Sequence, residues 1–264
     1  MSNESVKYMI RNGELQAETA SDTPFVYQMI HCFAHSCRHT ARHIEILNQT
    51  AKRLFDVQLD IDLRELERQV ASLLLANKLS RNATIGIQLA LDADGNHSIR
   101  SCGSSIYQGY VLRSLRPETL TLPITNPLGD YPTSASIEAQ ALANAIARRK
   151  GYHSAIMIGP KGEVKCDSAN PIFVVKGYTL YSQTSNIPSV ERTLVEQAAM
   201  KAGYGVQRMQ LTAMELESAD EVILANYQGL SAVAHIDNTP YMAIVSERLA
   251  ATMEEIFNNK KIVL

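Results

Sequence analysis

The sequence predicts an α+β protein with two domains, and three features of the chain support this prediction. Short apolar runs separated by turn residues predict a series of β-strands over 151–192. Apolar residues at helical spacing on both sides of this series predict amphipathic helices. A segment rich in proline and glycine is typical of a linker. We therefore expect a small N-terminal α+β domain over 1–120, a linker over 121–133 and a larger C-terminal domain over 134–264.

The N-terminal domain is predicted to begin with a strand. Tyr8-Met9-Ile10 followed by Asn12-Gly13 has the composition of a strand and a tight turn. Apolar residues recur at helical spacing in the next segment, so 25–55 is predicted to be mostly helical. Asp62 with Glu65 three residues later predicts the N-cap of a second helix.

A hairpin is predicted after these helices. Apolar residues alternate with polar or smaller ones over 85–91, which predicts a strand, and Asp94-Gly95 is a strong turn signal. The returning strand is expected over 106–112. An alanine-rich helix over 134–150 follows the predicted linker.

The C-terminal domain is predicted to continue with strands and a helix. The apolar runs 155–158 and 172–175 have the length of buried strands. Pro188 is expected in the first turn of a helix, and Gly203 at its C-terminal end. Strands are then predicted near Val206 and over 222–225. A last helix is predicted over 242–257, with four apolar residues facing the core: Ile244, Leu249, Met253 and Phe257.

Composition and charge exclude several functional classes. The 264 residues carry a net charge of −2 at pH 7, so neither a nucleic-acid surface nor a polybasic membrane surface is indicated. No run of about eighteen apolar residues and no secretory leader is recognised, so a cytoplasmic protein is expected. The four cysteines show no disulfide framework and are expected to be reduced thiols.

Three motifs resemble one enzyme family. Residues 151–182 read GYHSAIMIGPKGEVKCDSANPIFVVKGYTLYS, Leu216–Val222 reads LESADEV, and Ala232–Asn238 reads AVAHIDN. Together they resemble the class IV aminotransferases, the fold type IV enzymes of pyridoxal 5′-phosphate (PLP). This family includes branched-chain and D-amino-acid aminotransferases and aminodeoxychorismate lyase. The resemblance covers about the last 130 residues and is looser before them.

The resemblance implies a D-amino-acid aminotransferase-like fold, with a β-barrel-like C-terminal domain that also carries helices. It also implies a homodimer and PLP as the cofactor. PLP enzymes need a lysine that links to the cofactor and moves the substrate proton. They also need a carboxylate beside the pyridine nitrogen and an anion site for the phosphate, usually a helix N-terminus with an arginine.

The residues that carry this chemistry in the family are missing at the matching positions. The lysine position matches Thr133, and no lysine lies within 121–149. The carboxylate position matches Cys166 or Lys165, depending on which downstream residue is aligned. Neither residue is an acid, and a lysine there would oppose protonation of the ring.

The phosphate positions differ from the family as well. The arginine position matches Ile46. The start of the phosphate-binding helix matches Ser189–Arg192, where Glu191 is expected to place a carboxylate on the helix N-terminus and repel a phosphate. The second phosphate segment matches 226–229, without the expected threonine. We therefore predict a divergent member that does not use PLP in the family manner, and we expect no cofactor.

Displaced catalytic residues are the alternative. Lys165 lies on the predicted strand of the missing acid, so it is the candidate lysine for an active PLP-dependent aminotransferase or an aminodeoxychorismate lyase-like enzyme. Lys150 lies at a predicted helix end, where a cation interacts favourably with the helix dipole. Cys166 is a candidate nucleophile, although a single cysteine in a strand is more often a small buried apolar residue.

A row of histidines is a candidate metal site. His31, His35, His39 and His43 recur every four residues, which on a helix would place them along one face. Histidines four residues apart can bind zinc or a similar ion. A polar helix face is the expected alternative, because the segment is basic and no acid lies within 33–44 to complete a site.

Three functions are compatible with these observations. The first is the binding of a small molecule in the cleft between the domains, without PLP. The residues expected to line this cleft are Tyr131, Thr133, Cys166, Asn170, Glu191 and Tyr227. The second function is a non-catalytic partner that forms a homodimer or pairs with another protein. The third is an active PLP enzyme.

Overall fold

The chain forms two compact units, which divide between Gly109 and Tyr110. The computed structural model describes three stretches of the chain: residues 7–106, 109–126 and 128–258. The division precedes the segment 121–133 that the sequence suggested as a linker. It does so because the strands at Val111–Leu112 and Glu118–Leu122 already pair with strands of the C-terminal unit.

The N-terminal unit is an antiparallel sheet with two helices. Its elements are β1 (Tyr8–Arg11), β2 (Glu14–Ala17), β3 (Phe25–Phe33), β4 (Ser36–Cys37), α1 (Thr40–Phe55), α2 (Leu63–Ala76), β5 (Thr84–Asp92) and β6 (His97–Ser105). The strands lie in the order β2-β1-β6-β5-β3-β4. The apolar stripes of α1 and α2 are buried with the sheet, so that Leu47 and Leu73 share a core with Ile30 and Ile87.

Both predicted tight turns of this unit are confirmed. Asn12 and Gly13 connect β1 to β2 with φ angles of 49° and 87°, and a type I′ hairpin requires positive φ at both positions. Gly95 lies between β5 and β6 with a φ of 84°. The Asp92 carboxylate supports that turn by accepting a hydrogen bond from the Asn96 N–H at 2.8 Å.

The prediction that 25–55 is mostly helical is confirmed for 40–55 and is wrong for 25–39. Phe25–Phe33 forms β3, and α1 begins only at Thr40. All nine residues of β3 pair with β5, and this long-range pairing outweighs the local helical spacing. The returning strand of the hairpin is β6, at His97–Ser105, and not 106–112. Two residues of that predicted strand lie outside the described stretches.

The C-terminal unit contains two sheets and several helices. Its elements are β7 (Val111–Leu112), β8 (Glu118–Leu122), α3 (Ser134–Arg149), β9 (Ser154–Ile158), β10 (Val164–Lys165), β11 (Ile172–Lys176), β12 (Thr179–Gln183), α4 (Val190–Lys201), β13 (Gly205–Met209), α5 (Ala213–Glu217), β14 (Glu221–Asn226), β15 (Gly229–Ala232), β16 (His235–Ile236), β17 (Thr239–Pro240) and α6 (Val245–Asn258). One sheet has the order β10-β9-β8-β16-β17 and the other the order β13-β12-β11-β14-β15-β7.

Helix α4 has well-defined ends. Ser189 is its N-cap and accepts a hydrogen bond from the Arg192 N–H at 3.1 Å. Pro188 therefore lies just before the cap, and not in the first turn as predicted. Gly203 follows the helix with a φ of 87°, which agrees with its predicted C-terminal position.

Helix α6 covers Val245–Asn258, close to the predicted range. Leu249 and Met253 are buried, as predicted, whereas Ile244 is 69% exposed because it precedes the helix. The side chain of Phe257 lies outside the described residues. Within the described stretches, no helix is long and apolar enough to cross a membrane.

Candidate functional site

The residue that the family resemblance matches to the catalytic lysine is a helix cap. Thr133 is the N-cap of α3, and its hydroxyl accepts a hydrogen bond from the Ser136 N–H at 3.2 Å. The Ser136 hydroxyl accepts one from the Thr133 N–H at 3.0 Å, which completes a capping box. Both side chains are buried. Thr133 therefore stabilises the start of α3, and a hydroxyl cannot form the imine that a lysine forms.

Asp167 connects this cap to the loop after β10. Its Oδ2 accepts a hydrogen bond from Ser136 Oγ at 2.9 Å, and its Oδ1 accepts from the N–H groups of Ala169 and Asn170 at 3.0 and 3.1 Å. The Asn170 side-chain amide donates to the same Oδ1 at 3.1 Å. Sequence reasoning missed Asp167. The available signal was its place at the start of Asp-Ser-Ala-Asn, since aspartate often bonds the backbone two residues on.

Several predicted site residues are hydrogen-bonded or electrostatically coupled to Asp167. The capping box of Thr133 and the exposed Asn170 are joined through its two carboxylate oxygens. Its negative charge also raises the pKa values of Cys166 and Glu191, although burial contributes more in both cases. The structure therefore brings these four predicted residues together around an acid that the sequence did not single out.

Lys165 lies in an ion pair on β10. Its Nζ is 3.1 Å from Glu163 Oε1, and 24% of its side chain is exposed. A hydrogen bond from the Glu163 backbone N–H, together with Lys165, lowers the pKa of the Glu163 carboxyl. An ammonium group paired with a carboxylate becomes a nucleophile only after it loses a proton. Lys150 is the exposed C-cap of α3.

The thiol of Cys166 is partly buried. Burial raises its pKa to about 12, so the thiol is protonated at neutral pH and is a poor nucleophile. Cys166 packs against the core that contains Val164 and Ile172. A neutral thiol also cannot supply the negative charge that keeps a pyridine nitrogen protonated.

The first turn of α4 contains a buried carboxyl group. Glu191 is 2% exposed, and burial raises its pKa to about 8. The sequence predicted an ionised carboxylate here. With this pKa, the Glu191 side chain is a neutral carboxylic acid in most molecules at pH 7. Desolvation outweighs the helix dipole because it shifts a buried carboxyl far more than a helix N-terminus does. Within the described part of the chain, Oε1 of Glu191 has no hydrogen-bond partner.

Arg192 lies beside Glu191 but binds backbone groups. Its side chain is buried, and Nη2 donates to the Ile187 carbonyl at 2.6 Å while Nη1 donates to the Gln183 carbonyl at 3.4 Å. The guanidinium thus supports the loop between β12 and α4. Because the guanidinium donates to these two carbonyls, it is not directed at an anion at this start of the helix.

The two predicted tyrosines occupy different turns. Tyr131 precedes α3, and its N–H donates to the Leu128 carbonyl at 2.8 Å. Tyr227 lies in the turn between β14 and β15, where it interacts with Arg113. Arg113 Nη1 donates to Gln228 Oε1 at 3.2 Å, which attaches this turn to the segment that follows β7.

The prediction of a histidine row on one helix is wrong. His31 is in β3, His35 and His39 have left-handed conformations with φ of 63° and 57°, and His43 is in α1. Burial lowers the pKa of His39 to about 4 and that of His43 to about 3. His43 Nδ1 lies 3.0 Å from Gln28 Oε1. Among the described residues, no group of His, Cys, Asp and Glu side chains is arranged to hold a metal ion.

Comparison with known proteins places the chain in a family. The family model of the class IV amino-transferases matches residues 26–236. No curated protein matches the chain. The fold is similar to the branched-chain aminotransferase of Thermoproteus uzoniensis, with a TM-score of 0.75 and 18% identity over 97% of this chain and 96% of that one.

Two further solved structures have the same fold. The branched-chain amino acid aminotransferase of Escherichia coli has a TM-score of 0.73 and 17% identity, over 97% of this chain and 95% of that one. A putative 4-amino-4-deoxychorismate lyase from Legionella pneumophila has a TM-score of 0.74 and 15% identity, over 92% and 97%. Such low identities show the fold alone, whereas the family model spans most of the chain. This protein belongs to the class IV aminotransferase family.

Proposed function

We propose that this chain is a divergent class IV aminotransferase-fold protein that binds a small molecule and forms no lysine-linked PLP. Glu191 carries the proposal. It is a buried and largely neutral carboxyl group at the start of α4, and its Oε1 has no hydrogen-bond partner in the described part of the chain. The family resemblance assigns this helix start to the cofactor phosphate.

The residues present do not fit PLP as the family holds it. Thr133 offers a hydroxyl where the link requires an amine, and Cys166 offers a protonated thiol where the ring requires an acid. Ile46, at the arginine position, is apolar and fully buried. A phosphate dianion beside α4 would meet the Glu191 carboxyl and the negative charge of Asp167.

A ligand that donates hydrogen bonds suits this site better than a phosphate does. In the ionised form of Glu191, Oε1 is an acceptor, and the Asp167 carboxylate adds negative charge nearby. A ligand amine or hydroxyl would supply the missing partner for the buried oxygen. A charged amine would also lower the pKa of Glu191, so its binding is expected to release a proton.

Covalent trapping of PLP tests the absence of a cofactor link. The full-length protein is mixed with equimolar PLP and reduced with borohydride, and its intact mass is measured. The proposal expects a colourless protein of unchanged mass. A stoichiometric mass increase that maps to one lysine would overturn it.

Two lysine variants identify the source of any adduct. Lys165→Arg keeps a cation for Glu163 but removes the amine, and Lys150→Arg is the matched change at an exposed lysine. An adduct that disappears only in Lys165→Arg would make this chain an active PLP-dependent aminotransferase or aminodeoxychorismate lyase-like enzyme. A stoichiometric adduct lost only in Lys150→Arg would also overturn the proposal and would place the link at the C-cap of α3.

Native mass spectrometry tests the small-molecule site. Gently purified protein is expected to retain a ligand, and Glu191→Gln is expected to keep it because the amide oxygen remains an acceptor. Glu191→Leu removes the acceptor and is expected to lose the ligand. Retention of the same ligand by the folded Glu191→Leu variant would contradict the assignment of this site.

We also propose that the protein acts as a homodimer, as the family resemblance implies. The C-terminal unit exposes large apolar side chains at Met214, Met242 and Ile244, which are 73%, 51% and 69% accessible. Exposed apolar groups of this size favour association. Light scattering during size-exclusion chromatography is expected to give twice the chain mass of 29.2 kDa. A single-chain mass at micromolar concentration would overturn this proposal.

A further inference from the structure

The short hairpin between β3 and β4 places two cysteines opposite each other. Cys32 on β3 pairs in register with Cys37 on β4. The two residues at the tip, Ala34 and His35, both have positive φ, at 53° and 63°. This is the backbone of a type I′ turn, whose twist holds the two flanking strands in close register.

The hydrogen bonding of the adjacent residue pair shows which type of antiparallel pair the two cysteines form. The Arg38 N–H donates to the His31 carbonyl at 2.8 Å, so this adjacent pair is hydrogen-bonded. Hydrogen-bonded and non-hydrogen-bonded pairs alternate along antiparallel strands, which makes Cys32 and Cys37 a non-hydrogen-bonded pair. Opposite Cα atoms in such a pair lie about 4.5 Å apart. A disulfide spans about 4.4 to 6.8 Å between Cα atoms, so the backbone already has a suitable separation.

The two thiols interact in the reduced protein. Both cysteines are free, and their side chains are hydrogen-bonded to each other. This hydrogen bond lowers the pKa of Cys32 and raises that of Cys37. Cys32 is fully buried in the core of the N-terminal unit, whereas Cys37 is only partly buried.

We propose that Cys32 and Cys37 are a redox-active pair that closes reversibly to a disulfide when the protein meets a peroxide. One of the two sulfurs takes one oxygen from the peroxide as the O–O bond breaks, which gives a sulfenic acid and one water. The other sulfur then attacks the oxidised sulfur, the S–O bond breaks, and a second water leaves with the remaining proton. The two sulfurs supply the two electrons that reduce the peroxide. A dithiol reductant reverses the change.

The disulfide would constrain one hairpin of the N-terminal unit. It would covalently fix the β3–β4 hairpin, which leads directly into α1 at Thr40. The other thiols are placed differently, with Cys102 on β6 and Cys166 after β10. Because the proposal depends only on the hairpin, it is independent of any ligand at Glu191.

Thiol counting in the full-length protein tests the proposal. The reduced protein is treated with excess hydrogen peroxide, unfolded, alkylated with iodoacetamide and weighed intact. Untreated protein is expected to take up four alkyl groups, one for each cysteine. Treated protein is expected to take up two and to lose the mass of two hydrogen atoms, and dithiothreitol is expected to restore all four.

Peptide mapping identifies the linked residues. Chymotrypsin cleaves after Phe33 and so separates Cys32 from Cys37, which leaves two peptides joined only by the disulfide. Cys102→Ser is the matched control and is expected to form the same link, whereas Cys37→Ser is expected to form none. Four alkylated thiols after peroxide, a link that includes Cys102 or Cys166, or a disulfide-linked dimer would each overturn the proposal.

Discussion

The Ser136 hydroxyl donates a hydrogen bond of 2.9 Å to the Asp167 carboxylate. This bond joins the first turn of α3 to the loop after β10, although the two residues are 31 positions apart in sequence. By the family resemblance, these two segments match those that carry the catalytic lysine and the acid that faces the cofactor. In this protein, their polar groups are bonded to each other.

Loss of the Ser136 hydroxyl is expected to destabilise the C-terminal unit. Ser136→Ala removes the partner of the Thr133 N–H and leaves Asp167 with one donor fewer. The expected loss is about 1 to 3 kcal/mol in the free energy of unfolding, measured by urea denaturation. Ser218→Ala, at an exposed serine, is the control and is expected to change stability by less than about 0.5 kcal/mol. Equal effects of the two substitutions would contradict the role of this bond.

The buried carboxyl group of Glu191 is expected to make stability fall as pH rises. Its pKa is about 8 in the folded protein against an ordinary value of 4.5, so the folded state binds the proton more tightly. Stability is therefore lost between about pH 4.5 and pH 8, by at most about 5 kcal/mol. Glu191→Gln mimics the protonated group and is expected to remove this dependence and to be more stable than wild type at pH 8.5.

Urea unfolding at pH 5, 7 and 8.5 measures this effect. Glu138→Gln, at an exposed glutamate of α3, serves as the control and is expected to retain the wild-type pH dependence. A Glu191→Gln curve parallel to that of wild type at all three pH values would show that Glu191 is ionised at neutral pH.

The buried His43 is expected to make α1 sensitive to acid. Burial lowers its pKa to about 3 from an ordinary value of 6.5, so the folded state binds fewer protons than the unfolded one. Stability is present above pH 6.5 and is lost as the pH falls towards 3, by about 2 kcal/mol at pH 5. Hydrogen exchange of the α1 amides, corrected for intrinsic rates, measures the loss.

Two histidine variants separate this effect from other titrations. His43→Gln retains a side chain that can bond Gln28 and is expected to reduce the acid sensitivity of α1. His235→Gln, at an exposed histidine of β16, is expected to leave it unchanged. The same acid response in all three proteins would exclude His43 as its source.

Gly229 is expected to tolerate no side chain. Its φ is 114°, and a Cβ atom would lie 2.2 Å from the Val111 carbonyl oxygen on the paired strand β7. Gly229→Ala is expected to cost about 2 to 5 kcal/mol through strain and separation of β7 from β15. Gly203→Ala is the matched control, since Gly203 also has a positive φ but no atom within 4 Å of its Cβ position.

The difference between these two glycine variants isolates the steric clash. Gly203→Ala is expected to cost only about 1 kcal/mol in thermal or urea unfolding, because backbone strain is its main penalty. Similar losses for both variants would mean that backbone strain, and not the contact with Val111, dominates at Gly229.

Local features of the fold were predictable because neighbouring residues determine them. Asn12-Gly13 and Asp94-Gly95 form the predicted turns, since glycine and asparagine tolerate positive φ. The cap of α3 begins at Thr133, although the sequence identified this residue only as a missing lysine. Strand β3 was missed because its partner β5 is distant in sequence, and periodicity within 25–55 carries no information about that pairing.

The sequence alone determined the turns, most helix positions, the family resemblance and the absence of a lysine at position 133. These are properties of residue identity and of short-range spacing. Only the tertiary structure decided that Glu191 is largely neutral, that Asp167 joins the predicted site residues, and that Cys32 faces Cys37. Each of these depends on burial or on a partner brought close by folding. Burial changes the free energy of a charged group far more than its sequence neighbours do.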